Sequence, residues 1–266
     1  MALLVRPPAR LTPLQTRAGA GLKGGRINLP LLKNWTALMP ISHSIVLVHG
    51  AFVDGSGWRQ VHDRLTEAGH EVLVTQNPTQ SFEADVEVVA RTVKQARNPV
   101  ILVGHSYGGA VITEAGNDPK VRGLVYVAAF VPDSGESVAD LVANPPAGAT
   151  PPPILADDGW LSIDRDKFAD AFSADLAPAD ARFMAASQAA WGQAAFTGRV
   201  VDAAWRSKSS HYIVATQDRM IPPPAQHQMA ARAGARTTEI EASHAVMISH
   251  PADVAELILS AAYDAG

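Results

Sequence analysis

Pro99–Gly109 reads PVILVGHSYGG, and this stretch is the most informative one in the 266-residue chain. Its first half is a short aliphatic run, typical of a strand that is buried on both faces of a parallel sheet. Its second half follows the pattern G-x-S-x-G, typical of a nucleophile elbow, a sharp turn from strand to helix that exposes a serine hydroxyl. The stretch therefore predicts a strand, a strained turn at Ser106 and a helix that begins near Tyr107.

Strand-like and helix-like segments alternate on both sides of this stretch. Helical spacing of apolar residues occurs at Trp58–Ala68 and at Glu83–Gln95. Five further short segments have the pattern of strands: His43–His49, Glu71–Thr75, Val121–Ala128, His211–Thr216 and Thr237–Ala242. This alternation predicts an α/β fold with right-handed crossovers, in which helices cover both faces of a mostly parallel sheet.

The alternation stops between the fourth and fifth of the visible strands. That region is rich in Ala, Pro and Asp, with a loop-like run at 144–153 and helical patterns near 164–172 and 179–190. The simplest interpretation is a helical cap inserted into the sheet core. The predicted boundaries are 41–132 and 206–266 for the core, and 133–205 for the cap.

The first forty residues differ from the rest of the chain. They hold six basic residues and no acidic one, so residues 41–266 carry 16 basic and 26 acidic residues, a net charge of −10. Because the segment lacks a lasting period of 2 or 3.6, we expect a disordered extension or a misplaced start, with Met39 as the natural one. A targeting segment is a third interpretation, although such segments are also rich in serine and this one has none.

Composition excludes several classes of protein. The absence of cysteine excludes a disulfide scaffold, a thiol nucleophile and any cysteine-ligated metal. The overall charge of −4 argues against binding nucleic acid through phosphate contacts. No apolar run approaches the roughly 20 residues that span a bilayer, and no histidine spacing favours a zinc site. We expect a cytoplasmic protein with no metal, no cofactor and no membrane span.

A serine hydroxyl needs a base to accept its proton and an acid to orient that base. His244 follows the last predicted strand, at the carboxyl end of the sheet where ligands bind in open α/β sheets. Asp218 follows the preceding strand and is the favoured acid, because the order Ser, acid, His is typical of this arrangement. Asp133, after the fourth strand, is the alternative.

The reaction also needs donors for a developing oxyanion. The first predicted strand ends in the turn His49–Phe52, whose backbone N–H groups can point toward the serine. Ala51 and Tyr107 are the predicted pair of donors. Phe52 is the alternative to Ala51, because the loop can be counted one residue differently.

Four motifs together resemble the α/β-hydrolase superfamily. They are HGAFVDGSGW at 49–58, GHSYGG at 104–109, TQDRMIP at 216–222 and SHAVMISHP at 243–251. Within the superfamily they are similar to the small esterase branch that includes plant methylesterases and hydroxynitrile lyases. The resemblance implies the α/β-hydrolase fold, with an approximately eight-stranded, mostly parallel sheet and a helical cap. It also implies a cofactor-free mechanism with Ser106, His244 and Asp218.

Two positions depart from the lyases of that branch. The lyases have a threonine after the first histidine of these motifs and a lysine after the catalytic histidine, where this chain has Gly50 and Ala245. We therefore expect no lyase activity. The leading hypothesis is a hydrolase that cleaves small to medium neutral carboxylic esters through an acyl-enzyme. A perhydrolase, lactonase or acyltransferase with the same residues, and a ligand-binding receptor with very slow turnover, are the alternatives.

The substrate-contact residues are the least determined part of the prediction. Gly50 and Phe52 are candidates because they lie in the turn after the first strand, and Phe130, Trp160 and Trp191 because aromatic residues often line such pockets. Each aromatic residue is equally a candidate for the core of the cap. The expected partner is a small-molecule ester, and a homodimer is left open.

Overall fold

Six parallel strands form the central sheet of the computed structural model, which describes residues 43–143, 145 and 150–266. The strands of the described residues are β1 (Ser44–Val48), β2 (Glu71–Val74), β3 (Val100–His105), β4 (Val121–Val127), β5 (Ile154–Asp157), β6 (Trp160–Ile163), β7 (Trp191–Gly192), β8 (Ser209–Ala215) and β9 (Arg236–Ile240). The central sheet has the order β2-β1-β3-β4-β8-β9, and each neighbouring pair is parallel. The predicted α/β class is therefore confirmed.

The number of strands differs from the expectation. The resemblance implies about eight, whereas the described part of the chain contributes six to this sheet. The six correspond to the segments in which the sequence predicts strands, and the described part of the chain between β4 and β8 contributes no strand to this sheet. The predicted extension at 1–40 lies outside the described residues, as do positions 144 and 146–149 of the predicted loop at 144–153.

The strand order creates a crevice at the carboxyl end of the sheet. From β1 the chain crosses to β2 on one side and then returns to β3 on the other side of β1. The loops that follow β1 and β3 therefore run in opposite directions, which leaves a gap between them where ligands bind in open α/β sheets. The loop after β1 carries Ala51, and the loop after β3 carries Ser106.

Helices cover both faces of the sheet. They are α1 (Arg59–Glu67), α2 (Phe82–Gln95), α3 (Tyr107–Ala115), α4 (Val138–Val142), α5 (Arg165–Phe172), α6 (Pro178–Ser187), α7 (Gln193–Thr197), α8 (Pro223–Arg232), α9 (Val246–Ser249) and α10 (Pro251–Asp264). Side chains alternate across β1, so Ile45 and Leu47 pack with α1 and α10, whereas Val46 and Val48 pack with α2, α3 and the cap. The sheet therefore separates two apolar cores.

The cap differs in part from the helical insertion that was predicted. Helices α5 and α6 correspond to the two predicted helical patterns, but β5 and β6, which precede them, and β7, which follows them, form a three-stranded antiparallel sheet. The β5–β6 hairpin turns at Asp158 and Gly159, both with positive φ, 43° and 81°. An Asp-Gly pair between strands favours such a tight hairpin, so the signal was present in the sequence and the prediction overlooked it.

No helix in the described ranges is long and apolar enough to cross a membrane.

Candidate active site

Ser106 lies in a strained turn between β3 and α3. Its φ and ψ are 53° and −124°, a conformation that costs a non-glycine residue about 1–3 kcal/mol. Neighbouring glycines permit the turn: a Cβ at Gly104 would lie 2.5 Å from the Gly108 carbonyl oxygen, and one at Gly108 would lie 2.7 Å from the His49 carbonyl oxygen. Backbone hydrogen bonds hold the turn, because the Ser106 carbonyl accepts from the N–H groups of Gly109 and Phe130.

The structure brings Ser106, His244 and Asp218 into one chain of buried hydrogen bonds. His244 Nδ1 donates to Asp218 Oδ2 at 2.7 Å. Since this leaves Nε2 without a proton in the neutral ring, Nε2 accepts the hydrogen bond from Ser106 Oγ at 2.8 Å. The side chains of Asp218 and His244 are 0% and 1% exposed, so water does not compete for these bonds.

Asp218 is held by donors on both of its oxygen atoms. Oδ1 accepts from the backbone N–H groups of Met220 and Ile221 at 2.7 and 3.0 Å. Oδ2, which faces His244, also accepts from Gln226 Nε2 at 2.8 Å. Such donors fix the orientation of the carboxylate.

Gln226 is a site residue that sequence reasoning missed. It is fully buried on α8, its amide nitrogen also donates to the Ile221 carbonyl at 2.7 Å, and its oxygen accepts from Ala215 N–H at 3.1 Å. The available signal was its position: Gln226 shares the buried face of α8 with Met229 and Ala230, where a polar residue needs partners.

The loop that carries His244 is held from the core and from the cap. His105 Nε2 donates to the His244 carbonyl at 2.9 Å, and burial, with the neighbouring His244 as a second cause, holds the pKa of His105 well below its ordinary value. From the cap, the Phe172 ring contacts the imidazole of His244 edge-on at 4.7 Å. The Ser243 N–H donates to Asp175 Oδ2 at 3.0 Å. The imidazole is therefore oriented by contacts on several sides.

Asp133, the alternative acid, lies elsewhere. Its Oδ1 accepts from Arg206 Nε at 2.7 Å, and the two side chains form an ion pair with Arg206 57% exposed. This arginine, with local hydrogen bonds, holds the pKa of Asp133 below its ordinary value. The structure does not bring Asp133 to His244, which leaves Asp218 as the acid in contact with the imidazole.

The turn after β1 lies directly beside Ser106. Ala51, Phe52 and Tyr107 all line the cavity that contains Ser106. Phe52 has a positive φ of 66°, so the turn is strained there as well. Gly50, a predicted substrate contact, is not among the residues that line the cavity. A Cβ at Gly50 would lie 2.7 Å from Ser106 Cβ, so the glycine allows the turn to approach the serine closely.

A cavity of about 450 Å³ opens at Ser106. Most of its described lining is apolar: Ala51, Phe52, Tyr107, Phe130, Val138, Leu141, Val142, Ile154, Trp191, Phe196, Met220, Ile221, Ala225 and Met229, with several prolines. The charged residues among the described lining are Glu136, Asp140 and Arg232, and Arg232 pairs with Glu136 at 2.9 Å. The cavity therefore favours a largely apolar ligand.

Of the predicted aromatic contacts, Phe130 and Trp191 line this cavity and Trp160 does not. Trp160 is 41% exposed on β6, whereas its neighbour Leu161 is buried. Because side chains alternate along a strand, Leu161 points into the cap and Trp160 points out to solvent. The structure therefore does not bring Trp160 to this cavity.

Histidine and acidic side chains form no cluster of three that could hold a metal ion among residues 43–143, 145 and 150–266. The hydrogen bonds of the site run from a hydroxyl to an imidazole and on to a carboxylate.

Fold and site together define a hydrolase of the α/β class. Residues 45–257 match the model of the alpha/beta hydrolase family, and the chain belongs to that family. This confirms the resemblance read from the four motifs and the assignment of the chain as an enzyme.

Individual relatives agree with the family. The carbendazim hydrolyzing esterase of Nocardioides sp. (strain SG-4G) is 36% identical over 127 residues, 42% of this chain and about half of that protein's length, 51%. The alpha/beta hydrolase nvfD of Aspergillus novofumigatus (strain IBT 16806) is 25% identical over 248 residues, 84% of this chain and 97% of that protein. The crystal structure of a pyrethroid hydrolase from Sphingobium faniae JZ-2 has a TM-score of 0.72 at 24% identity, over 83% of this chain and 97% of that chain, and shows the fold alone.

Proposed function

We propose that this chain is a serine esterase that cleaves carboxylic esters through an acyl-enzyme. The observation that carries the proposal is the buried sequence of hydrogen bonds from Ser106 Oγ to His244 Nε2 and from His244 Nδ1 to Asp218. It stands at a strained strand-to-helix turn, the position at which this class of fold exposes a nucleophile. The esterase among the named relatives supports the same reaction class.

In the first half of the reaction, Ser106 Oγ attacks the ester carbonyl carbon and its proton passes to His244 Nε2. The imidazolium that forms is stabilised by Asp218, which already accepts the Nδ1 proton at 2.7 Å. The backbone N–H groups of Ala51 and Tyr107 stabilise the negative oxygen of the tetrahedral intermediate. His244 then donates its proton to the leaving alkoxide, and the acyl group stays on Ser106.

In the second half, water replaces the alcohol. His244 accepts a proton from the water as it attacks the acyl carbonyl, and the same N–H groups stabilise the second tetrahedral intermediate. Collapse of that intermediate returns the proton to Ser106 Oγ and releases the carboxylic acid. Neither half needs a cofactor, since His244 carries out every proton transfer between Ser106, the leaving alkoxide and water, and Asp218 orients its imidazole.

Neutral esters of small to medium size suit the cavity best. Its volume of about 450 Å³ and its aromatic and aliphatic lining favour an apolar acyl or alcohol group. The charged side chains in the described lining are two acids and one arginine, and the arginine is paired with Glu136. An anionic substrate would therefore find no free cation among them, in agreement with the negative charge of residues 41–266.

Replacement of the serine tests the proposal. We expect Ser106→Ala to lower kcat for p-nitrophenyl butyrate by at least about 1,000-fold, because the nucleophile is removed while the cavity is kept. Ser260→Ala is the matched control: Ser260 is exposed on α10, and its loss leaves kcat unchanged. Near wild-type turnover by Ser106→Ala would rule the proposal out. The time course of the wild type separates an esterase from a slow-turnover receptor. An esterase releases nitrophenol continuously, whereas such a receptor would release one burst with no steady state after it.

A further inference from the structure

A buried carboxylate lies behind the proposed oxyanion donor, outside the Ser106–His244–Asp218 chain. Asp85, in the first turn of α2, is fully buried. None of the lysines, arginines and histidines in the described ranges forms an ion pair with it. Burial raises the pKa of the Asp85 carboxyl despite its hydrogen bonds. A buried acid without a cation is costly, so its two hydrogen-bond partners indicate what it does.

The first partner is the residue that follows Ser106. Tyr107 donates its phenol O–H to Asp85 Oδ2 at 2.6 Å. Tyr107 is itself fully buried, and burial followed by the nearby Asp85 charge raises the pKa of its phenol well above the ordinary value. The phenol therefore stays a donor. Because Tyr107 is the first residue of α3, this bond fastens the start of that helix, and with it the backbone N–H beside Ser106, to α2.

The second partner leads to the wall of the cavity. Asp85 Oδ1 accepts from the Thr79 N–H at 2.8 Å, and Thr79 has a positive φ of 54° that such a bond helps to maintain. The Thr79 carbonyl accepts from Gly192 N–H at 2.7 Å, and its hydroxyl donates to the Ala190 carbonyl at 2.9 Å. Thr79 thus holds β7 of the cap, the strand that carries Trp191.

The two paths from Asp85 meet again at Trp191. Its ring lies 5.0 Å from the ring of Tyr107 and 5.6 Å, edge-on, from that of Phe52, which belongs to the turn after β1. Gly192 permits this close junction, since a Cβ there would lie 2.2 Å from the Gln80 carbonyl oxygen. Asp85 is therefore connected to both sides of the proposed oxyanion site.

We propose that Asp85 is a positioning residue for ester hydrolysis: through the Tyr107 phenol it holds the oxyanion donor next to Ser106, and through Thr79 it holds the Trp191 wall. The inference rests on the proposed function. A donor that shifts by about 1 Å loses much of its effect on a transition state, because such stabilisation depends on preorganised geometry. The Tyr107 path acts on the chemical step, and the Thr79 path acts on substrate binding.

A double-mutant cycle tests this assignment with p-nitrophenyl butyrate. We expect Tyr107→Phe to lower kcat about 10-fold with little change in KM, and Asp85→Ala to lower kcat at least as much while also raising KM. The double variant Asp85→Ala/Tyr107→Phe should have the kcat of Asp85→Ala alone, because both changes break the same hydrogen bond. Multiplied losses in the double variant would overturn the proposal.

Asp85→Asn is the conservative variant. Its amide oxygen can accept from Thr79 N–H, and its NH₂ group can donate to the Tyr107 oxygen, so both connections persist with one bond reversed. We expect the kcat of Asp85→Asn to lie within about threefold of the wild-type value. If the reaction required the negative charge of Asp85, the loss would be larger. If Asp85→Ala does not fold, as followed by circular dichroism, wild-type kcat in Tyr107→Phe still overturns the proposal.

The two proposals fail in different ways. If the proposed function is wrong, Ser106→Ala keeps the turnover of the wild type, whatever happens at Asp85. If only the positioning role is wrong, Ser106→Ala is inactive, whereas folded Asp85→Ala keeps the kcat of the wild type.

Discussion

Exchanging a single oxygen of Asp218 for nitrogen is expected to place the proton of His244 on the wrong ring atom. In the wild type, the N–H groups of Met220 and Ile221 donate to Asp218 Oδ1. In Asp218→Asn, the amide oxygen therefore takes the position of Oδ1, where it still accepts both bonds. The new NH₂ group then faces His244 Nδ1 and Gln226 Nε2. Gln226 cannot turn its oxygen toward it, because Gln226 is bonded to Ala215 N–H and the Ile221 carbonyl.

His244 can form a hydrogen bond with this NH₂ group only if its Nδ1 is unprotonated and accepts. The neutral imidazole then carries its proton on Nε2, where it faces Ser106 Oγ and can no longer accept the hydroxyl proton. The same substitution in a serine protease with this set of residues lowers kcat by about 10⁴, or about 5 kcal/mol of transition-state stabilisation. We expect a loss of that order here, with the cavity and hence KM little changed.

The assay is steady-state hydrolysis of p-nitrophenyl butyrate, with urea unfolding to verify that both variants are folded. Asp133→Asn is the matched control, since it makes the same chemical change in the alternative acid, which pairs with the exposed Arg206. Surface ion pairs contribute about 0–1 kcal/mol, so the control should keep the kcat of the wild type. The reasoning is refuted if folded Asp218→Asn retains more than a tenth of wild-type kcat, or if the two variants lose equally.

Two further predictions concern stability and chain length. Since burial lowers the pKa of His105, the unfolded chain binds a proton below pH 6.5 that the folded chain does not, so stability is lost as pH falls through that value. Between pH 7.5 and 5.5 the free energy of unfolding should therefore fall more steeply in wild type than in His105→Gln, and equal pH dependence in urea titrations would contradict this. A chain that starts at Met39 should keep the kcat/KM of the full chain, because every residue proposed for the site lies between 43 and 266; a large loss would assign the first 38 residues a part in the reaction.

The parts of the site that could be read from the sequence are those with a local cause. A nucleophile elbow needs glycines at fixed offsets from the serine, so G-x-S-x-G marks Ser106 without any tertiary information. Asp218 and His244 follow predicted strands, and the carboxyl ends of parallel strands meet at one edge of a sheet. The structure brings these three residues together in one chain of hydrogen bonds.

Residues defined by tertiary contacts were not predictable in the same way. Gln226 and Asp85 lie in ordinary helical patterns, and only the packing of α8 against Asp218 and of α2 against Tyr107 gives them their partners. The sequence favours Asp218 but leaves Asp133 as the alternative, because both follow strands. The choice needed the observations that Asp218 contacts His244 and that Arg206 pairs with Asp133.

The errors in the cap have a common cause. Its strands are two to four residues long, too short for a clear alternation of apolar and polar residues, so the sequence pattern does not distinguish the antiparallel sheet β5-β6-β7 from a helical insertion. Unless that sheet is predicted, the sequence does not indicate that Trp160 faces solvent while Trp191 faces the cavity. The local signal for the sheet is the Asp158-Gly159 turn of the β5–β6 hairpin.

Covalent capture of the nucleophile tests the central claim most directly. The chain is treated with a p-nitrophenyl alkylphosphonate, which transfers its phosphonyl group to an activated serine, and the digested product is analysed by mass spectrometry. We predict release of one equivalent of nitrophenol and one modified peptide, with the adduct on Ser106. Ser106→Ala should form no adduct, and His244→Ala should form it much more slowly than the wild type. An adduct on another residue, or equal labelling of Ser106→Ala, would contradict the assignment of Ser106 as the nucleophile.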